Sequence, residues 1–168
     1  MTETAKLLFI GQAYPKNMGK YEFDGSKFYS WFNKIGISTE FLRSNSHITA
    51  VLPVYSGTNP KGTGDRLPNQ QEIDENLPRL KELILRLNPK VIIPIGKFSI
   101  ETIFGVNKIN LENYISKEFD INPYQILDKT YKIIPLPHPS GLSRWIYQKN
   151  HAQLLDRALQ MISEYLSS

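Results

Sequence analysis

The sequence predicts an α/β fold, a three-layer α/β/α sandwich with a central, mainly parallel four-stranded sheet. The first observation behind this prediction is a set of short apolar runs, typical of strands in the interior of a parallel sheet. These runs are Lys6–Ile10, Ile48–Val54, Val91–Ile95 and Tyr131–Pro135. The second observation is that segments with helical spacing alternate with the runs, an order that favours parallel strands.

The helical segments have apolar residues at helical spacing, and glycine or an Asn-Pro pair closes several of them. They are predicted at Phe28–Ile35, Asn69–Leu87, Lys97–Phe104 and Tyr147–Leu166. Pro78 lies inside the second segment, where proline is expected to kink the helix or to mark an N-terminal turn that ends early. Gln125–Leu127 and Tyr131–Pro135 flank Asp128-Lys129-Thr130, which predicts a hairpin or a strand pair.

The composition limits the class of protein. With 168 residues, of which 40% are hydrophobic and 21% charged, the chain is predicted to form one domain over residues 1–168. The absence of cysteine excludes disulfides, a cysteine nucleophile and thiolate-bound metals. The only histidines are His47, His138 and His151, so we expect no histidine-rich metal site.

The expected location and partners also follow from composition. No apolar run approaches the roughly 20 residues that span a bilayer. The polar start at Met1–Lys6 does not resemble a signal peptide. We therefore expect a cytoplasmic protein with no membrane partner; a monomer is a further expectation. The net charge of +4 is compatible with a polyanionic partner such as nucleic acid, without establishing one.

His138 is the first candidate functional residue. It lies between Pro137 and Pro139, just after the predicted strand Tyr131–Pro135. Prolines fix the backbone, and α/β folds bind their ligands at the carboxyl ends of parallel strands. A histidine at this place is therefore positioned for chemistry. The alternative is a loop histidine that caps a neighbouring turn.

Two loops resemble motifs of the uracil-DNA glycosylase superfamily. The run His138–Ser143 is similar to the second active-site motif, His-Pro-Ser-Pro-Leu-Ser in one branch, with Gly141 in place of a proline. The run Phe9–Pro15 resembles the first motif, written Gly-Gln-Asp-Pro-Tyr or Gly-Glu-Ala-Pro-Gly. Glu72–Gly96 resembles the long helix and following strand of the family, so the resemblance extends over most of the chain.

The resemblance implies a DNA glycosylase that flips a damaged base out of DNA and hydrolyses its N-glycosidic bond in base-excision repair. Uracil is the expected base. It implies that His138 bonds the base oxygen and stabilises the negative charge of the departing base. It implies that Leu142 wedges into the gap in the duplex. The remaining DNA-binding residues implied by the motif and its surroundings are Pro139, Ser140, Gly141, Ser143 and Arg144. The resemblance implies DNA that contains a damaged base as the partner, and it implies no metal or redox cofactor.

The first motif lacks the acidic residue that positions the attacking water in many branches. Gln12 is the candidate to hold that water through its neutral amide. Asp24 or Glu22 in the following loop is a candidate for the missing carboxylate. The alternative is that both are solvated loop acids.

The same resemblance places base-binding residues around the flipped base. Gly11, Ala13 and Tyr14 belong to the first motif, and Ala50 stands where several branches have an asparagine that reads uracil. The identity of the excised base is therefore open, and a damaged base other than uracil is an alternative. Phe23 is the candidate to stack on the base. The alternative is that Phe23 packs beneath its loop, with Tyr14 or Tyr21 as the stacking residue.

A basic rim is expected near these loops from Lys16, Lys20, Arg144 and Lys149. Trp145 is expected to pack under the loop, with stacking on DNA as the alternative. His47 and His151 are expected to be structural or solvated. The missing acid and asparagine also motivate a second functional hypothesis. This is a superfamily member that binds nucleic acid or a nucleotide and cleaves weakly or not at all.

Overall fold

The computed structural model describes residues 4–16, 22–23, 26–62, 64–140 and 144–168. A five-stranded sheet with the order β2-β1-β3-β5-β4 forms its centre. The strands are β1 (Leu7–Tyr14), β2 (Ser46–Tyr55), β3 (Val91–Pro94), β4 (Phe119–Ile121) and β5 (Tyr131–Ile133). All neighbouring pairs are parallel except β4 and β5, which are antiparallel. The predicted α/β class and mainly parallel sheet are confirmed, with one strand more than predicted.

The strand beyond the predicted four is β4, which pairs with β5 where the sequence predicted Gln125–Leu127 as the partner. Phe119–Ile121 pairs with β5, and Asp120 and Lys132 form a cross-strand ion pair at 2.8 Å. The segment around Gln125 is instead a 3₁₀ turn, Pro123–Gln125, in which Tyr124 has a φ of 57° that no strand adopts. The prediction of a strand at 125–127 was therefore wrong, whereas the expected strand pair exists with another partner.

The helices of the described residues are α1 (Phe28–Asn33), α2 (Thr39–Asn45), α3 (Gln70–Leu87), α4 (Lys97–Phe104) and α5 (His151–Ser167). Helix α2 was not predicted, because only Leu42 is buried in it and no apolar stripe forms. Helix α5 begins after Asn150, whose φ of 69° separates it from a 3₁₀ turn at Trp145–Tyr147. In the described part of the chain, no helix is long and apolar enough to cross a membrane.

The start of α3 is fixed by polar side chains. The Asn69 side chain accepts a hydrogen bond from the Glu72 amide and the Glu72 carboxylate accepts one from the Asn69 amide, a reciprocal capping box. Both oxygens of Glu72 also bond Arg66, and this hydrogen bonding lowers the pKa of Glu72 to about 2. The helix continues past Pro78 to Leu87, so the turn expected to end early at Pro78 does not occur.

The sheet is covered on both faces, and alternation along β1 assigns each side chain to one of them. Leu7 and Phe9 belong to a core cluster with residues of α1, α2 and α5, and this side is called the α5 face. Leu8 and Ile10 belong to a second cluster with residues of α3, and this side is called the α3 face. Helices on both faces give the three layers that the sequence predicted.

Ile84 and Leu85 test the α3 face of the core. Ile84 is fully buried, whereas the neighbouring Leu85 is 47% exposed. Ile84→Ala is expected to lower the free energy of unfolding by about 2–5 kcal/mol, because it removes buried methyl groups and leaves a cavity. The matched control Leu85→Ala is expected to cost less than about 1 kcal/mol. Urea denaturation measures both, and equal losses would contradict this assignment of the core.

Candidate active site at the carboxyl edge of the sheet

The carboxyl half of β1 and the middle of β2 present small residues to the α5 face. Gly11 and Ala13 continue the alternation of Phe9, and Ala50 pairs with Gly11 across the two strands. Ile48, two residues before Ala50, packs against the core of the α5 face. The predicted base-binding residues Gly11, Ala13 and Ala50 therefore share one face, and none of them fills it with a large side chain.

The same alternation directs the Gln12 side chain to the α3 face, away from Gly11 and Ala13. Tyr14 follows an irregularity in the β1–β2 pairing, and its phenol acts electrostatically on Arg79, a residue of α3. The alternation therefore places the Gln12 amide and the Tyr14 ring on the opposite face of β1 from Gly11 and Ala13, and their predicted roles stay predictions.

Phe23 lies between the first motif and His138. Its Cζ atom is 3.7 Å from the position that a Cβ atom on Gly11 would take. Its ring centroid is 6.5 Å from the imidazole of His138 and 4.7 Å from the ring of Phe28. Phe23 thus packs on Phe28 and also borders the Gly11 surface. Its φ of 64° is unusual for a non-glycine residue, and its carbonyl accepts a hydrogen bond from Ser26 Oγ at 2.6 Å.

The imidazole of His138 has a fixed orientation. The Ser140 amide donates to His138 Nδ1 at 3.0 Å. Because Nδ1 accepts this hydrogen bond, the proton of the neutral ring is on Nε2, which is then free to donate. An isolated parallel bridge between Ile95 and Leu136 holds the start of this loop beside β3.

Gly96 makes room for His138. Gly96 has a φ of 87°, and a Cβ atom on it would lie 3.4 Å from Cδ2 of His138. A larger residue would be strained there and would press on the ring. The sequence marked Gly96 only as the end of a strand, and nothing in it indicated contact with a residue 42 positions later in the chain.

Two opposing effects set the pKa of His138. Protein atoms crowd the imidazole although the residue is exposed at the sheet edge, and this desolvation lowers the pKa below the ordinary value for histidine. The carboxylate of Asp65 acts in the other direction and raises it. Desolvation is the larger effect, so the ring is neutral at pH 7.

Asp65 belongs to a loop that the sequence analysis did not connect with His138. It forms an isolated bridge with Thr58, and the next residue, Arg66, donates to the Ser56 carbonyl at 2.7 Å and to the Glu72 carboxylate. These contacts tie the loop between β2 and α3 to both elements. No local motif marks Asp65, because its relation to His138 exists only in the folded chain.

The predicted DNA-binding residues follow His138. The Pro139 carbonyl accepts a hydrogen bond from the Lys27 amide at 3.3 Å, which joins the His138 loop to the start of α1. Arg144 is exposed just before the 3₁₀ turn. Lys16 and Lys149 are exposed as well. The predicted residues Lys20, Tyr21, Asp24, Gly141, Leu142 and Ser143 lie outside the described residues.

Glu22, the other candidate for the missing carboxylate, is partly buried, and its main-chain carbonyl accepts from the Tyr29 hydroxyl at 2.9 Å. This contact fixes its backbone without assigning a role to the carboxylate. Across the described ranges, no three His, Asp or Glu side chains come together in a group that could hold a metal ion.

His151 anchors the turn that follows the His138 loop. Its ring stacks on Trp145 at 4.0 Å, and its Nδ1 atom lies 2.7 Å from the Trp145 carbonyl oxygen. Its Nε2 atom is 3.3 Å from the Glu112 carboxylate. Trp145 is partly buried and packs against the core, as its expected packing role requires.

Lys27 and Tyr147 form a surface pair that the sequence did not indicate. The Lys27 ammonium donates to the Tyr147 hydroxyl and lies 4.8 Å from the centroid of its ring. Tyr147 is 66% exposed. The pair joins α1 to the turn after the His138 loop, where a cation and an aromatic ring are both accessible.

One comparison with known proteins gives a match. A family model described as the uracil DNA glycosylase superfamily matches residues 1–161, which is nearly the whole chain. No curated protein matches the chain.

Asp65→Asn is expected to lower the pKa of His138 further, because the attraction of the carboxylate for the imidazolium is lost. The neutral ring will then persist to a lower pH than in the unchanged protein. NMR titration of the His138 ring measures this shift. Asp128→Asn is the matched control, since Asp128 is not among the groups that shift this pKa. An unchanged pKa in Asp65→Asn would show that the carboxylate does not reach the ring.

Proposed function

Because the chain belongs to the uracil-DNA glycosylase superfamily, we propose that it is a DNA glycosylase that removes a damaged base and leaves an abasic site. Uracil is the leading candidate for that base. The observation that carries this proposal is the hydrogen bond from the Ser140 amide to His138 Nδ1, which leaves Nε2–H as the donor of a ring whose centroid lies 6.5 Å from that of Phe23. A neutral imidazole with one fixed donor suits a base oxygen that gains negative charge.

The proposed reaction breaks the bond between C1′ of the deoxyribose and the base nitrogen. The bonding electron pair leaves with the base, and the sugar passes through an oxocarbenium-like state. The Nε2–H group of His138 donates to a carbonyl oxygen of the base and stabilises its developing negative charge. A water oxygen then forms the new bond to C1′, and the proton of the water is released to solvent. The products are the free base and an abasic sugar.

Base recognition is assigned to the α5 face of the strand ends. Phe23 supplies an aromatic surface for the extruded base, worth roughly 1–3 kcal/mol. Gly11, Ala13 and Ala50 carry no side-chain donors or acceptors, so the hydrogen bonds to the base come from main-chain groups. Without a polar side chain at Ala50, discrimination between uracil and other damaged bases is expected to be weaker than an asparagine would give.

The first motif offers no carboxylate that could orient the attacking water. We assign its orientation to the main chain of Gln12 and Ala13, since the Gln12 side chain belongs to the α3 face. The Asp65 carboxylate, which acts on His138, supplies negative charge that favours the cationic sugar. Glu22 and Asp24 stay alternative sources of that charge.

The second candidate is a protein that binds nucleic acid or a nucleotide without efficient cleavage. The absence of any acid among Gly11, Gln12 and Ala13 favours it. Incubation with uracil-, hypoxanthine- and xanthine-containing oligonucleotides, followed by alkali, separates the two candidates. Binding without release of any of these bases would establish the second.

His138→Ala is expected to reduce the rate of uracil release by about 10²- to 10³-fold, because it removes a preorganised donor to the departing base. The rate is measured under single-turnover conditions, with alkali to break the abasic sites. His47→Ala is the control for loss of a histidine elsewhere in the chain and is expected to retain activity. A variant His138→Ala that releases uracil at the full rate would contradict the assignment of this loop.

Leu142→Ala is expected to weaken action on duplex DNA more than on single strands. An apolar wedge is needed only where the extruded nucleotide leaves a gap in a stacked duplex. Parallel rate measurements on matched single- and double-stranded oligonucleotides test this expectation. Equal losses on the two substrates would exclude a wedge role for Leu142.

A further inference from the structure

Arg79 of α3 reaches the middle of β2. Its Nη1 atom donates to Thr49 Oγ1 at 3.1 Å, and its Nη2 atom donates to the Ala50 carbonyl at 2.6 Å, with the Val51 carbonyl at 3.4 Å. The fork of the guanidinium thus holds three consecutive residues of one strand. A side chain on the α3 face therefore fixes the stretch of β2 that contributes Ala50 to the α5 face.

The charge of Arg79 has no acidic partner in the described portion of the chain. The residue is partly buried, and desolvation lowers its pKa, although a guanidinium stays protonated at any physiological pH. Its electrostatic neighbours are the phenols of Tyr14 and Tyr124. The Tyr124 hydroxyl is buried without a hydrogen-bond partner among the described residues. Buried charges are normally paired, so a poorly solvated cation without an acid is an unusual feature.

The position of this cation relates it to the candidate base pocket. Ala50 pairs with Gly11, and both face the side where Phe23 lies. The guanidinium bonds the carbonyl of that same Ala50 from the other face. A positive charge behind the pocket wall attracts negative charge that develops in the pocket, and the attraction is strong where water is scarce.

We propose that Arg79 is a positioning residue for the leaving base. It fixes the Ala50–Val51 backbone that borders the base, and its charge favours the electron-rich base that departs with the bonding pair. This inference rests on the proposed glycosylase function and deepens it, because it assigns part of the leaving-group stabilisation to a residue outside both motif loops. The substrates that depend on Arg79 are bases that leave as poorly stabilised anions.

The test compares uracil with 5-fluorouracil in otherwise identical oligonucleotides. Fluorine withdraws electrons and makes the departing base a better anion, so 5-fluorouracil needs less help from the protein. Arg79→Gln is expected to slow single-turnover release of uracil by about tenfold and release of 5-fluorouracil by about twofold or less. Arg79→Lys keeps the charge and is expected to retain most of the rate on uracil, although it loses the forked hydrogen bonds.

Lys81→Met is the matched control, because it removes a positive charge from an exposed position of the same helix. It is expected to leave both rates unchanged. Thermal unfolding of each variant checks that the fold persists. If Arg79→Gln is folded and its release rates for uracil and 5-fluorouracil fall by the same factor, the inference is overturned and the proposed function still stands. If the protein without any substitution releases neither base, the proposed function is overturned, and the inference with it.

Discussion

The arrangement of the candidate site depends on the burial of β1 on both faces. Leu7 and Phe9 pack under α1, α2 and α5, while Leu8 and Ile10 pack under α3. Neither set of side chains can move to the other face, because each packs against different helices. The face to which each side chain at the end of the strand points is therefore fixed. As a consequence, Gly11 borders Phe23, Ala13 lies on the same face, and the intervening glutamine is turned to the opposite layer.

The second constraint is the close packing around His138. The Ser140 amide fixes which nitrogen of the ring carries the proton, and Gly96 lets the backbone of a neighbouring strand end approach the ring. Together they hold a neutral imidazole with one free donor at the edge of the sheet. Crowding by protein atoms favours the same neutral state, so local geometry and electrostatics act in one direction.

Charge around the site comes from elements that carry no motif. The Asp65 carboxylate, in the loop between β2 and α3, raises the pKa of His138, and that loop is held by the capping box and ion pair of Glu72. Arg79 approaches from the opposite layer and bonds the main chain of β2. Charged groups near the candidate site therefore come from elements other than the first motif, which lacks an acid.

The sequence by itself determined the elements with strong local signals. The bounds of α4 were predicted as observed, and those of α3 to within one residue, because their apolar spacing and closing residues are local. The His138 and Gly11 loops were identified by motif. Helix α2 and strand β4 were not, since neither has a distinctive apolar pattern. Only the tertiary structure decided the faces of Gln12 and Ala50 and the approach of Asp65 and Arg79, because these depend on contacts between residues far apart in the chain.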